Sequence, residues 1–100
     1  MTLRHIVTWK LAAADEAGRD AAAIRIAELL EDLPPLIPEI RSLTVGRNVV
    51  ETPTSHDVVL VADYDDEAAL EAYQVHPEHQ RAAAEIRTLV SDRAVVDFLV

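Results

Sequence analysis

The side chains best suited to acid–base chemistry in this sequence are its four histidines. His79 is the most informative of them. It begins a series spaced by four, three and four residues that continues with Ala83, Ile86 and Val90. This spacing places the imidazole on the apolar stripe of a helix, facing inward. An imidazole titrates near neutral pH, so an enclosed one can serve as a general base.

Tyr73 and Asp97 are further candidates for a site. Tyr73 shares a helix stripe with Ala69 and Leu70, one turn before the chain reaches Pro77. A phenol in that position can donate a hydrogen bond to a developing oxyanion. Asp97 lies between two apolar residues of the last strand and points to an enclosed region, where a carboxylate can fix a histidine tautomer.

The other three histidines lie on strands or at a helix boundary. His5 shares a strand face with Val7 and Trp9, and His56 begins a later strand. His76 precedes a proline, and we interpret it as the N-cap of the next helix rather than as a catalytic group.

Each of these residues also has a structural interpretation. Buried histidines commonly pair with a carbonyl or carboxylate, and a buried tyrosine is often a core aromatic. The segment from His76 to His79 lacks the His-Glu-x-x-His spacing of a zinc site and has no third ligand nearby, so we expect no metal. Glycines occur only at positions 18 and 46, which excludes a phosphate loop or dinucleotide fingerprint, and we expect no cofactor.

Length and charge restrict the function classes. A chain of 100 residues without cysteine predicts one domain over residues 1–100, with neither disulfides nor a cysteine nucleophile. Nine basic against 18 acidic residues give a net charge of −9, which disfavours nucleic acid and anionic membranes as partners. There is no signal-peptide pattern and no apolar run near the ~20 residues of a membrane helix, so we expect a cytoplasmic protein.

Hydrophobic periodicity predicts seven elements. Residues 3–11 alternate as a strand, and residues 15–33 have the spacing of an amphipathic helix that Pro34 ends. Further strands are predicted over 40–50, 56–64 and 93–100, with helices from Asp65 or Asp66 to His76 and from Pro77 to Val90. The order βαββα(α)β predicts a ferredoxin-like α+β sandwich, a four-stranded antiparallel sheet with all helices on one face.

The strands predict a second copy of the chain. Three of them carry large apolar residues on both faces, as Val58 and Leu60 against Val59 and Val61 illustrate. A sheet with one solvated face would alternate more cleanly. Because the chain has no spare element to cover the second face, we expect a homodimer formed through it.

Four segments carry a resemblance to a known family. They are RHIV at residues 4–7, HDVVLV at 56–61, YQVHPEH at 73–79 and VVDF at 95–98. Together they resemble the stress-responsive dimeric α/β-barrel (Dabb) family, over essentially the whole chain. The resemblance implies a homodimer whose two sheets close into a barrel. The sequence is most similar to the plant polyketide cyclases of that family, and this resemblance implies that Tyr73 and His79 form an acid/base pair. The resemblance also implies that His5, His56 and Asp97 lie in or near the substrate cavity. We expect Val7, Trp9 and Ile26 to bind substrate as well.

Three functions follow as hypotheses. The first is a cofactor-independent enzyme, an aldol cyclase or lyase, acting on an apolar or polyketide-like carbonyl compound. The second is a non-catalytic stress-responsive dimer in which the histidines are structural. The third is a cofactor-free monooxygenase of a related barrel group. An open cavity beside His79 favours the enzyme, whereas a cavity filled by Trp9 and Leu60 favours the structural role.

Overall fold

The computed structural model describes residues 1–100 as seven elements in the predicted order. They are β1 (Leu3–Leu11), α1 (Glu16–Glu31), β2 (Ser42–Arg47), β3 (Val58–Tyr64), α2 (Glu67–Val75), α3 (Pro77–Arg87) and β4 (Val90–Leu99). The strands form one antiparallel sheet in the order β2-β3-β1-β4. The predicted ferredoxin-like α+β fold is therefore confirmed. No helix is both long and apolar enough to cross a bilayer.

The first strand holds the sheet together, because it pairs with β3 on one side and β4 on the other. Val7, at its centre, lies opposite Leu60 and Val95. Its side chains alternate as predicted, with Leu3, His5, Val7, Trp9 and Leu11 all buried beneath the helices. The register with β4 shifts once, between Lys10 and Leu11.

Each helix begins at a side-chain cap. The Asp15 carboxylate accepts a hydrogen bond from the Gly18 amide, and Asp66 accepts one from the Ala69 amide. His76 has the extended backbone that a following proline imposes, and its Nδ1 accepts from the Glu78 amide. The interpretation of His76 as the N-cap of α3 agrees with this geometry.

The largest boundary differences are at the predicted second strand and at the end of the chain. The second strand was expected over residues 40–50, but Ile40 follows a turn, outside the strand and with its side chain buried, and pairing spans only Ser42–Arg47. Gly46 lies opposite Val59 within the paired part of β2, and a Cβ there would lie 3.2 Å from Val59 Cγ1, so glycine serves close approach to β3. Helix α3 ends at Arg87 rather than Val90, and β4 begins at Val90 rather than Arg93.

The helices cover only part of the sheet. Buried residues of α1 and the segment after it pack on β1 and β3: Ala22, Ala23, Ile26, Leu30, Leu33 and Ile37. Strand β4 lies at the edge of the sheet, and every residue of it after Val90 is exposed. The helix-free face of the sheet carries apolar side chains that nothing in the chain covers: Ile6, Val59, Val61, Val96 and Phe98.

The two aspartates before α2 provide a matched test of helix capping. Asp66 caps the helix, whereas Asp65 makes an exposed ion pair with Arg41. We expect Asp66→Ala to lower the free energy of unfolding by about 1 kcal/mol. Asp65→Ala should cost less, because exposed ion pairs contribute roughly 0–1 kcal/mol. Urea unfolding of both variants checks this, and an Asp65 variant that is the less stable of the two would contradict the assignment.

Candidate functional site

A cavity of about 330 Å³ lies between the sheet and the helices. Its wall is formed by residues of strands β1, β3 and β4 and of all three helices. These residues are His5, Val7, Trp9, Leu30, Leu60, Tyr73, His79, Ala83, Ile86, Arg87, Val90 and Arg93. Trp9 and Leu60 line this space and do not fill it. The cavity is mostly apolar, with a few polar groups converging on it, as is typical of small-molecule sites.

Tyr73 and His79 meet because the proline breaks the chain between them. Helix α2 ends at Val75, and Pro77 starts α3 in a new direction. The phenol and imidazole rings come within 4.3 Å between centroids, tilted by 47°. Both side chains line the cavity.

The protonation pattern of His79 is set by a backbone carbonyl. Its Nδ1 lies 3.0 Å from the Gln74 carbonyl oxygen, which can only accept, so Nδ1 carries the proton. The lone pair of the neutral ring is therefore on Nε2. Burial lowers the pKa of His79; the Gln74 hydrogen bond opposes this, while His5, Arg93 and Arg87 add to the lowering. His79 is thus uncharged at neutral pH and can accept a proton.

Tyr73 has the complementary property. It is 1% exposed, and its ring lies 5.1 Å from that of Tyr64. Burial raises the pKa of Tyr73 to about 12, against smaller lowering effects of the Tyr64 hydroxyl and Arg93. The phenol therefore stays protonated and can donate to a bound ligand.

His5 is held by the carboxylate of Asp97. The two residues lie directly opposite each other on β1 and β4, and the His5 Nδ1 donates to Asp97 Oδ1 at 2.5 Å. Asp97 itself does not line the cavity, but it fixes the orientation of a ring that does. The His5 ring lies 6.4 Å from that of Tyr73, edge to face.

Besides Asp97, two of the expected substrate-binding residues lie outside the cavity wall, His56 and Ile26. His56 Nδ1 is 2.9 Å from Thr8 Oγ1, and its Nε2 is 3.5 Å from Asp92 Oδ2. Thr8 and Asp92 belong to the helix-free face, so His56 is on the opposite side of the sheet from His79. Ile26, on the buried face of α1, is fully enclosed in the core and is not part of the cavity wall.

Three residues in or next to the cavity were not expected from the sequence. Tyr64, the last residue of β3, is fully buried, and its ring lies 5.1 Å from that of Tyr73. Burial and the neighbouring Tyr73 raise the pKa of Tyr64, and its hydroxyl has no partner in hydrogen-bonding geometry. Arg87 and Arg93 line the cavity. A signal was present for Arg87, because it follows Ala83 by four residues on the same helix stripe. The position of Arg93 opposite Trp9 is shown only by the strand register.

No three His, Asp or Glu side chains come together in a group that could hold a metal ion. The polar groups of the cavity are two imidazoles, a phenol and two guanidiniums. This donor set suits proton transfer and hydrogen bonding to an organic ligand.

The lowered pKa of His79 predicts a loss of stability in mild acid. The unfolded chain takes up a proton near the ordinary histidine pKa of about 6.5, whereas the native state resists it until a lower pH. The free energy of unfolding should therefore decrease as pH falls from about 6.5 toward the folded-state pKa. In His79→Gln this contribution is removed, so urea unfolding should show a smaller decrease. An NMR titration of the His79 ring with its midpoint at or above about 6.5 would contradict the prediction.

Comparison with known proteins places this arrangement in a family. The model of the stress responsive A/B barrel domain matches residues 3–100. A dimeric protein of unknown function with a ferredoxin-like fold from Bacteroides fragilis has a TM-score of 0.86 and 28% identity, covering 97% of this chain and 94% of that one. A dimeric ferredoxin-like protein of unknown function from Thermobifida fusca has a TM-score of 0.81 and 31% identity, covering 100% and 92%.

A hydroxynitrile lyase from Passiflora edulis shares the fold, with a TM-score of 0.80 at 14% identity, over 99% of this chain and 93% of that chain. At this identity the likeness concerns the fold alone. The family match, in contrast, spans nearly every residue from β1 to β4. The protein therefore belongs to the stress-responsive A/B barrel (Dabb) family.

Proposed function

We propose that this protein is a homodimer that binds a small carbonyl compound in the cavity and moves a proton at the carbon next to the carbonyl. One observation carries the proposal. A neutral imidazole whose Nε2 lone pair is free lies 4.3 Å, between ring centroids, from a buried phenol that stays protonated, and both line a cavity of about 330 Å³.

The chemistry divides between the two side chains. His79 Nε2 removes the proton from carbon, and the electron pair of the broken C–H bond forms an enolate on the carbonyl oxygen. The Tyr73 hydroxyl donates a hydrogen bond to that oxygen as its negative charge develops. In an aldol closure the enolate carbon then attacks a second carbonyl, and the imidazolium returns its proton to the new alkoxide.

The apolar walls support such a ligand. Val7, Trp9 and Leu60 exclude water from the reacting end of the cavity and strengthen the hydrogen bond from Tyr73. The Passiflora edulis enzyme is described as a lyase, so the same fold carries reactions of this broad class in another protein. The proposal rests on the residues of this chain, since the likeness between the two proteins concerns the fold.

A second candidate function is binding without turnover. It is favoured by the partners that three of the histidines already have: His5 pairs with Asp97, His56 with Thr8, and His76 caps α3. These contacts are the ones expected of structural histidines. The two candidates differ only in whether His79 transfers a proton.

Deuterium exchange distinguishes them. A methyl ketone such as 4-acetylbenzoate should exchange its methyl protons with D2O faster in the presence of the protein, as followed by ¹H NMR. His79→Ala should abolish the acceleration, because it removes the base assigned to the proton transfer. Tyr73→Phe should lower it by ~10²–10³, the usual effect of losing one oxyanion donor. Gln80→Ala, an exposed neighbour on α3, is the matched control and should exchange at the wild-type rate. Binding without accelerated exchange in the wild type would favour the second candidate.

The helix-free face supports the dimer. Ile6 lies opposite Val61 on one side and Val96 on the other, which gives an apolar row across three strands. The chain has no element that covers this row, and relatives from Bacteroides fragilis and Thermobifida fusca are dimeric. Burial of such a face against a second copy is the common solution for a two-sided sheet.

Two valines of nearly equal exposure test the interface. Val96 is 61% exposed in the protomer on the helix-free face, and Val75 is 60% exposed at the end of α2. We expect Val96→Glu to shift the protein toward monomer, because a buried unpaired carboxylate opposes association. Val75→Glu should remain dimeric. Sedimentation at micromolar concentration reads out both, and a monomeric wild type, or a Val96 variant as dimeric as the control, would contradict the interface.

A further inference from the structure

The positive charges of this acidic chain are distributed unevenly. Of nine basic residues, five are neutralised by carboxylates: Arg4 by Asp63, Arg25 by Glu85, Arg41 by Asp65, Arg47 by Asp20 and Arg81 by Glu78. Arg19 donates to the carbonyl oxygens of residues 13 and 14. The remaining three basic side chains, Lys10, Arg87 and Arg93, make neither an ion pair nor a hydrogen bond within the chain. Two of these three line the cavity.

The two arginines occupy the solvent side of the cavity. Arg87 is the last residue of α3 and Arg93 belongs to the edge strand β4; both are exposed. His5 and Tyr73, in contrast, are 2% and 1% exposed. The cavity therefore has a cationic opening and a deeply buried end at His5 and Tyr73, and the imidazole of His79 on its wall is half-buried.

Leaving these arginines without acidic partners is unusual in a chain with twice as many acidic as basic residues. A guanidinium presents a planar fork of donors that matches a carboxylate with two parallel hydrogen bonds. Two such forks at one opening make a site that attracts an anion despite the net charge of −9.

We propose that the ligand of this cavity is a carbonyl compound bearing a carboxylate, which binds Arg87 and Arg93 while the carbonyl lies toward Tyr73 and His79. The placement of the carbonyl rests on the function proposed above. The carboxylate site does not, because it is formed by arginines that take no part in the proton transfer.

The proposal has a consequence for the base. Arg93 and Arg87 both contribute to the lowered pKa of His79. A bound carboxylate neutralises their charge, so the pKa of His79 rises and Nε2 becomes a stronger base only when a ligand of the right charge is present. The same arginines would then select the substrate and adjust the catalytic group.

The test compares a charged and an uncharged probe, 4-acetylbenzoate and its methyl ester, which also carries one more methyl group, by NMR titration of the protein. We expect the carboxylate to bind at least about tenfold more tightly, a difference of about 1.4 kcal/mol. Arg87→Gln and Arg93→Gln should each reduce this preference, and the double variant should abolish it. Lys10→Gln is the matched control, since Lys10 is also exposed and unpaired but lies on the helix-free face.

Each outcome decides one point. Absence of the preference in the wild type, including absence of binding by the carboxylate, overturns the proposal. So does an equal effect of Lys10→Gln, which would indicate a general field rather than a site. Deuterium exchange is measured in a separate experiment. A preference for the carboxylate that persists in His79→Ala supports the anion site even where no exchange is catalysed. Exchange of both probes without any preference contradicts the anion site and leaves the proton-transfer function intact.

Discussion

The pairing of β1 with a strand on each side is the constraint on which the rest of the structure depends. Because β1 is paired on both sides, its orientation is fixed. Its side chains therefore alternate between the helix side and the helix-free side of the sheet. In this chain the odd-numbered positions supply the cavity with His5, Val7 and Trp9. The even-numbered positions supply Ile6 to the face that the proposed dimer covers. A one-residue slip in register would exchange the two sets.

The second constraint is the proline between α2 and α3. A continuous helix would place Tyr73 and His79 six residues apart, on different sides of one cylinder. Pro77 breaks the helix, and the extended backbone of His76 redirects it. The interruption also frees the Gln74 carbonyl at the end of α2, and this carbonyl accepts from His79. One local break therefore brings the rings together and selects the tautomer of the imidazole.

Much of this organisation was predictable from the sequence, for identifiable reasons. Period-two and helical spacing, prolines 34 and 77 and the acidic caps predicted seven elements in the right order, and the apolar stripe placed His79 facing inward. The boundaries differed where tertiary contacts outweighed local pattern, as at Ile40, which is buried without being in a strand. His56 could not be placed correctly, because it precedes β3 and its side chain contacts the helix-free face. The arginines of the cavity opening were missed because charged side chains are normally expected to point into solvent. Only the strand register shows that Arg93 lies opposite Trp9.

Strand β4 connects the two proposals. On its helix side, Asp97 orients His5 and Arg93 borders the cavity, yet no helix covers this strand. On its other side, Val96 and Phe98 belong to the apolar face. An edge strand exposed on both faces has little to hold it except its ladder with β1, and exposed edges are liable to local opening. In the proposed dimer the partner packs on one face of β4 and fixes its position. The same contact would then hold Asp97 against His5 and Arg93 at the opening, so that association and the geometry of the site depend on one strand.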